Sequence, residues 1–455
     1  MKKNSNFINN LFKNSLILSL PGFISIFFSL IAIPIHLRIA GIENYGNYLL
    51  FHVLLSLSFL LNFGISKSIV ISSNNNKKNI KRIAYEGIKY SFNISLIIIF
   101  FYLVLKFLFI EQNINYVFSI ELFFLGLIIS IIYLTFEGII QAHKFFKNLS
   151  LFNFIFYSIS ISLPSIMLTI LNNLTLNELI CFSVTIKFLL ILFVYFYLSK
   201  KKLIIKNNRK ILLKVFKKNS PWLTLNSMLI QFYEMLDKYL IKIFLGSTFM
   251  AIYSIPQQLT GKLSILSKGF SAFLLPNLES KKKINDFLYS LELFLKYIPI
   301  SIFILFPLYP YVLNFWLGNQ YSILIHDLTK IFSLVAIFSC ISHILITKYE
   351  ADQISKLNFK IEIKFLPFFL AILLFLTINS YSLLFIATLI LIKELVLIIF
   401  RLYLLKIDIK KIKVYFIYLL IFPLLLILSF INMKLFYFLL IFIIFFTFKN
   451  VKYNN

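Results

Sequence analysis

NSPWLTLNSMLIQFYEMLDKYLIKIFLGSTFMAIYSIPQQLTGKLSILSKGFSAFLLPNL, residues Asn219–Leu278, decides how the chain is read. It is long enough for two membrane-crossing helices joined by a tight Gly-Ser turn at Gly246 and Ser247. Yet Gln231, Glu234, Asp237, Lys238, Gln257, Gln258, Lys262 and Lys268 fall at or near membrane depth. Ionisable groups there are costly and mark a pathway or a site. Gln231, Glu234 and Lys238 share one helix face, with Asp237 flanking it, and Gln257, Gly261, Ser264 and Lys268 share another.

The rest of the chain is a shell of apolar helices around this hairpin. Of 455 residues, 60% are hydrophobic, 18% aromatic and only 14% charged. Apolar runs of membrane-spanning length recur from end to end without the alternation of barrel strands. The expectation is an all-α polytopic membrane protein with about 14 spans, near 15–37, 47–71, 88–110, 116–140, 150–171, 177–198, 221–244, 250–275, 294–316, 326–347, 361–379, 381–403, 414–431 and 434–448. The first run is too long for a signal h-region and is expected to be retained.

Charge supports that count. The net charge of +28 gathers in every second loop, most densely in Lys200–Lys218, while the intervening loops hold little beyond Arg38 and Lys434. This is the positive-inside pattern, which places both termini in the cytoplasm. It also excludes nucleic acid as a partner, because the basic residues do not form one contiguous surface. Cys181 and Cys340 lie singly inside apolar runs, and the five histidines have no paired spacing, so neither a disulfide framework nor a metal site is expected. There is no nucleophile–base constellation, HExxH or P-loop, so the chain reads as a transporter and not an enzyme.

Gly41, Gly46, Tyr48, Gly64 and Ser66 recur as Gly246, Ala251, Tyr253, Gly269 and Ser271 at a constant offset of about 205 positions. Both sets run from an outer turn down the following span. Two parallel six-helix lobes related by a pseudo-twofold axis along the membrane normal follow from this repeat. The divisions are then 1–199 for the first lobe, 200–219 for a basic cytoplasmic linker, 220–405 for the second lobe and 406–455 for two additional helices.

HLRIAGIENYGNYLLFHVLLSLSFLLNFGISKSIV (His36–Val70) resembles the opening signature of the polysaccharide-export (Wzx-type) flippases. EGIIQAHKFFKNLSLFNFI (Glu137–Ile155) resembles their junction of fourth and fifth helices. Residues Ser220–Leu259 are similar to their seventh and eighth helices, with Asp237, Gly246, Ala251 and Tyr253 at the matching places. The resemblance covers about residues 14–278 with motifs and continues diffusely to about 375. It implies a fold like the multidrug extruders and lipid II flippases, and translocation of an undecaprenyl-diphosphate-linked oligosaccharide, such as an O-antigen unit, across the bacterial cytoplasmic membrane. It implies no cofactor, a proton or sodium gradient as the energy source, and a polysaccharide polymerase and chain-length regulator as protein partners. Two helices beyond twelve are more like the lipid II flippase layout, so a lipid II flippase and a cation-coupled multidrug extruder are the alternatives.

Such a lipid brings a diphosphate and many hydroxyls, so its cavity needs cations and hydrogen-bonding groups. One mid-span lysine costs about 2.5–3.5 kcal/mol, and Lys187, Lys262 and Lys393 together roughly 7–10 kcal/mol. That total favours a shared wet cavity, to which Lys67, Lys268, Gln231, Gln257 and Gln258 are added as lining. Glu234, Asp237, Lys238 and Arg38 are the candidate coupling or gating groups. Snorkelling for Lys67 and Lys268, and an i,i+4 pair between Glu234 and Lys238, are the plainer readings of those residues.

Overall fold

The computed structural model describes residues 22, 24–75, 80–109, 119–171, 174–204, 211–264, 267, 269, 271, 306–318, 322–352 and 354–405. The helices expected beyond 405, most of the one expected at 294–316, and Lys268 fall outside them. All regular structure among the described residues is helical. In order the helices are α1 (Ile24–Ile39), α2 (Gly41–Leu55), α3 (Leu57–Leu61), α4 (Ile65–Asn75), α5 (Ile80–Phe109), α6 (Ile120–Ala142), α7 (Phe146–Met167), α8 (Leu176–Lys200), α9 (Ile211–Leu245), α10 (Ser247–Gly261), α11 (Tyr309–Leu317), α12 (Ile323–Ala351), α13 (Ser355–Ile378) and α14 (Leu383–Leu404).

Eight segments among the described residues are long and apolar enough to cross a membrane, with α2 and α3 counted as one. Their outward faces are apolar: Phe100, Phe107 and Phe196 are exposed, as a lipid-facing surface requires. Although α9 is 35 residues long, it is not one of the eight, because its polar residues dilute its apolarity. It is instead the helix around which the two lobes assemble. It packs against α2, α3, α4 and α5 of the first lobe and against α10 and α13 of the second.

The helix ends follow from local chemistry. Thr175 caps α8 and receives the reciprocal bond of Glu178, a full capping box. The Ser322 hydroxyl accepts from the Ile325 amide at 3.3 Å to start α12. Two pairs of the repeat read from the sequence, Gly41 with Gly246 and Tyr48 with Tyr253, have matching local settings. Gly41 (φ 85°) and Gly246 (φ 100°) make the reversals before α2 and α10, a backbone state that side-chain-bearing residues rarely adopt. Seven residues on, Tyr48 and Tyr253 are fully buried; Tyr48 donates to the Ile161 carbonyl at 2.8 Å and Tyr253 to the Asp237 carboxylate at 2.9 Å. Helices α2 and α10 meet across the lobe interface.

Three local features differ from the sequence expectation. The span read as continuous over 47–71 is broken at Ser56 and again at Asn62–Gly64, where Phe63 (φ 49°) and Gly64 (φ 65°) are left-handed. Asn62 fixes that break: its amide nitrogen donates to Ile131 O and Thr135 Oγ1, each at 3.3 Å, and its oxygen accepts from the Ser66 amide at 3.2 Å. Helix α9 begins at Ile211, ahead of Pro221, so part of the stretch read as a linker is helical. Helix α10 stops at Gly261 and tightens into a 3₁₀ turn, Lys262–Ser264, so the straight face from Gln257 to Lys268 is interrupted midway.

Candidate functional site

The lobes touch at both ends of α9. At the Gly246 end the Ser247 carbonyl oxygen lies only 2.3 Å from where a Cβ on Gly46 would stand, so only glycine permits this approach. Beside it, Asn47 Oδ1 accepts from Lys242 and, at 3.0 Å, from the Ser247 hydroxyl. Tyr45 donates to Gln258 at 3.2 Å and Trp316 to the Leu30 carbonyl at 2.6 Å. At the Pro221 end, Thr224 donates to the Phe63 carbonyl at 2.6 Å, packed on Gly64. There Lys67 of the first lobe forms an ion pair with Glu350 of the second.

Between these closures lie three cavities strung along α9. The first, about 290 Å³, lies toward the Gly246 end. It is lined by Ser29, His52, Ser56, Tyr157, Ser158 and Ser162 from the first lobe and by Glu234, Lys238, Ser254, Gln258 and Lys262 from the second. A π-helical turn at Ile155–Ile159 within α7 supplies Tyr157 and Ser158 to it; such turns are frequent at functional sites. The second, about 280 Å³, lies toward the Pro221 end and is lined by Lys67, Gln231, Glu137, Gln141, His343 and Glu350 among others. A small third cavity of about 50 Å³ borders both, sharing Glu234 with the first and Ile230 with the second.

The residues singled out in the sequence are distributed over these spaces. Lys262 lines the first cavity, with its ammonium 3.3 Å from the Ser25 hydroxyl. Lys238 lines it too and donates to the Glu234 main-chain carbonyl at 3.0 Å, so the two side chains do not form the i,i+4 ion pair. Glu234 is exposed toward the cavity, whereas Asp237 is buried against Tyr253. Gln258 lines the first cavity and Gln231 the second; Gln257 lines none of the three, and its buried side-chain oxygen has no hydrogen-bond partner among the described residues. Arg38 is exposed near the Gly41 turn, its guanidinium lying over Gly318.

The three mid-span lysines do not line one chamber. Lys187 is buried in α8 with its ammonium 5.4 Å from the centre of the Phe156 ring. Lys393 is buried in α14, paired with Glu394 at 2.9 Å and seated over Tyr233 and Phe369 at 4.8 and 5.6 Å. Of the three, Lys262 borders the first cavity and Lys393 the small third one. Lys393 belongs to a network that sequence reading missed. In it Arg401 pairs with Glu362 and donates to Asn358 at 2.8 Å and to Ser342 at 2.9 Å. The Ser342 hydroxyl donates to the Glu394 carboxylate at 3.0 Å, and Asn358 donates to Asn226 of α9 at 3.2 Å. Two cations and two carboxylates balance there, as buried charge requires, and all four border the small third cavity.

Chemically, the first cavity offers two ammonium groups, which only donate hydrogen bonds, one carboxylate (Glu234), which only accepts, and hydroxyl, amide and imidazole groups on the remaining walls. That set suits a ligand with oxyanions and hydroxyls. Among the described residues no three His, Cys, Asp or Glu side chains converge as a metal would need.

The sequence profile of the polysaccharide biosynthesis protein family matches residues 11–279. No curated protein sequence matches the chain. Among solved structures, it is similar to an outward-facing multidrug-resistance MATE-family transporter of the MOP superfamily, with 13% identity, TM-score 0.64, 85% of this chain covered and 93% of that one. A MOP-superfamily transporter from Pyrococcus furiosus, whose binding pocket is described as reversed in polarity, aligns with 13% identity and TM-score 0.63, over 86% of this chain and 94% of that one. A Vibrio cholerae MATE transporter aligns with 13% identity and TM-score 0.66, over 89% and 98%. The two-lobed helical fold is theirs, and by its sequence the chain, with its several membrane-spanning helices, belongs to the polysaccharide biosynthesis protein family.

Proposed function

We propose that the protein carries an undecaprenyl-diphosphate-linked oligosaccharide from the inner to the outer leaflet of a bacterial cytoplasmic membrane by alternating access. The observation that supports this most is the first cavity, where Lys238 and Lys262 face hydroxyl-bearing side chains between two lobe closures. A lipid diphosphate needs cations at membrane depth, and its sugars need hydrogen-bonding partners. On the positive-inside reading, the Pro221 end faces the cytoplasm and the Gly246 end the outside. A proton or sodium gradient would drive the cycle, with cavity-facing Glu234 as the group that senses the cation. A polymerase and chain-length regulator would receive the product.

Electrostatics argue against a cationic drug as cargo. A unit positive charge 6 Å from one ammonium meets about 3 kcal/mol of repulsion at an effective dielectric of 20. A lipid II flippase would use the same cations, and depletion separates the two: loss of a surface sugar coat fits this proposal, arrest of wall growth fits lipid II. Changing Lys238 and Lys262 together to Ala removes two charge-assisted contacts, each worth about 1.5–3 kcal/mol. In a surface-polysaccharide complementation assay the polymer is expected to fall at least about tenfold at normal protein level. Normal polymer from that variant would remove the proposal.

A further inference from the structure

The first cavity has two chemically unlike walls. On the first-lobe side, three serines each spend their hydroxyl proton on a carbonyl of their own helix. Ser29 donates to Ser25 O at 2.8 Å, Ser56 to Val53 O at 2.6 Å, and Ser162 to Ser158 O at 2.8 Å. A hydroxyl has one proton, so these side chains turn only lone pairs to the cavity. A diphosphate is an acceptor throughout and would meet lone pairs with lone pairs. A sugar hydroxyl can donate to them.

His52 stands on the same wall. Its ring is held edge-on to Tyr48 and Phe51, with centroids 4.6 and 5.4 Å away. Both ring nitrogens are buried and have no hydrogen-bond partner among the described residues. An imidazole left so is out of balance, and a turn about its outer side-chain bond would bring a nitrogen to a ligand hydroxyl. A neutral imidazole can serve either as donor or as acceptor there. The opposite wall holds the cations of the cavity, beside the Glu234 carboxylate, Ser254 and Gln258. Lys238 and Lys262, with three donors each and no lone pair, come from α9 and the turn after α10.

Resting on the flippase reading above, we propose that the headgroup lies across this cavity in one orientation. The diphosphate sits on the second-lobe lysines. The sugar attached to it sits on the first-lobe wall, where Ser29, Ser56, Ser162 and His52 read its hydroxyls. The first lobe then sets sugar specificity and the second lobe holds what all such lipids share.

The test is binding to the full chain in lipid nanodiscs with two probes, undecaprenyl diphosphate and undecaprenyl-diphosphate N-acetylglucosamine. Ser56→Ala with Ser162→Ala is expected to weaken the sugar-bearing lipid about tenfold, the effect of two ordinary hydrogen bonds. It should leave undecaprenyl diphosphate within about twofold of wild type. His52→Phe, which keeps the ring packing, should show the same selectivity. Lys262→Ala should weaken both lipids alike. Serine and histidine variants that lower both lipids equally, or neither, overturn the inference while wild-type binding of both leaves the flippase reading standing. A wild-type protein that binds neither lipid fails that reading, and the orientation falls with it.

Discussion

Replacing Arg401 by methionine is expected to destabilise the protein by about 3–5 kcal/mol, because it strands a buried carboxylate. Arg401 and Glu362 are 2% and 1% exposed, and the guanidinium also serves Asn358 and Ser342. Removing both charges is a different matter: Arg401→Met with Glu362→Met fills the same space with apolar side chains and leaves no charge unpaired. Such paired replacements are often neutral or stabilising. The unfolding midpoint in detergent should therefore fall sharply for Arg401→Met and recover most of the way in the double variant. Equal losses in the single and double variants would show that the pair is not the energetic unit of the second lobe.

The second large effect is steric and falls on transport. In Gly46→Val a side chain must occupy space where the Ser247 carbonyl oxygen lies 2.3 Å from the Cβ position. The clashing atom is backbone, so relief requires α2 and α10 to separate. Overpacking of this kind costs about 1–3 kcal/mol, charged only against the arrangement closed at the Gly246 end. That shifts the population of the closed form by about fivefold to 150-fold. A cysteine at Asn47, placed in a chain with Cys181 and Cys340 changed to serine, should react faster with a water-soluble thiol reagent when Gly46 is valine. Transport should fall in step. Unchanged reactivity would mean that the lobes do not part along this contact.

Much of this architecture was legible in the sequence because it is local or periodic. The apolar runs gave the helices, and glycine spacing gave the turns at Gly41 and Gly246. The constant offset between Tyr48 and Tyr253 marked the two helices that meet at the interface. Lys262 and Gln258 were identified from polarity at membrane depth, and both line the first cavity. What escaped notice depends on residues far apart in the chain. Lys67 and Glu350 are paired across the lobes, and nothing in either helix announces the other. Arg401 and Glu362 stand near the ends of apolar runs, where no local pattern marks them; packing of α14 on α12 and α13, and of α13 on α9, buries them.

The mid-span lysines show a further limit. Insertion cost treats Lys187, Lys262 and Lys393 alike, since each interrupts an apolar run. The structure gives each a different solution: an aromatic face, a cavity, and a carboxylate beside a second aromatic cage. Which solution applies is set by neighbouring helices, and periodicity within one helix carries no information about them. The breaks in α2–α4 fall on Ser56 and Asn62–Gly64, residue types a continuous span also carries, and the π turn in α7 leaves no mark in the apolar pattern.

The central claim is that a lipid diphosphate crosses the membrane against Lys238 and Lys262. The most direct measurement places the purified protein in liposomes with undecaprenyl-diphosphate N-acetylglucosamine and follows the appearance of sugar in the opposite leaflet with a lectin. Wild type should move the lipid, and Lys238→Ala with Lys262→Ala should slow it at least about tenfold at equal incorporation. Transfer by that variant at the wild-type rate would contradict the account.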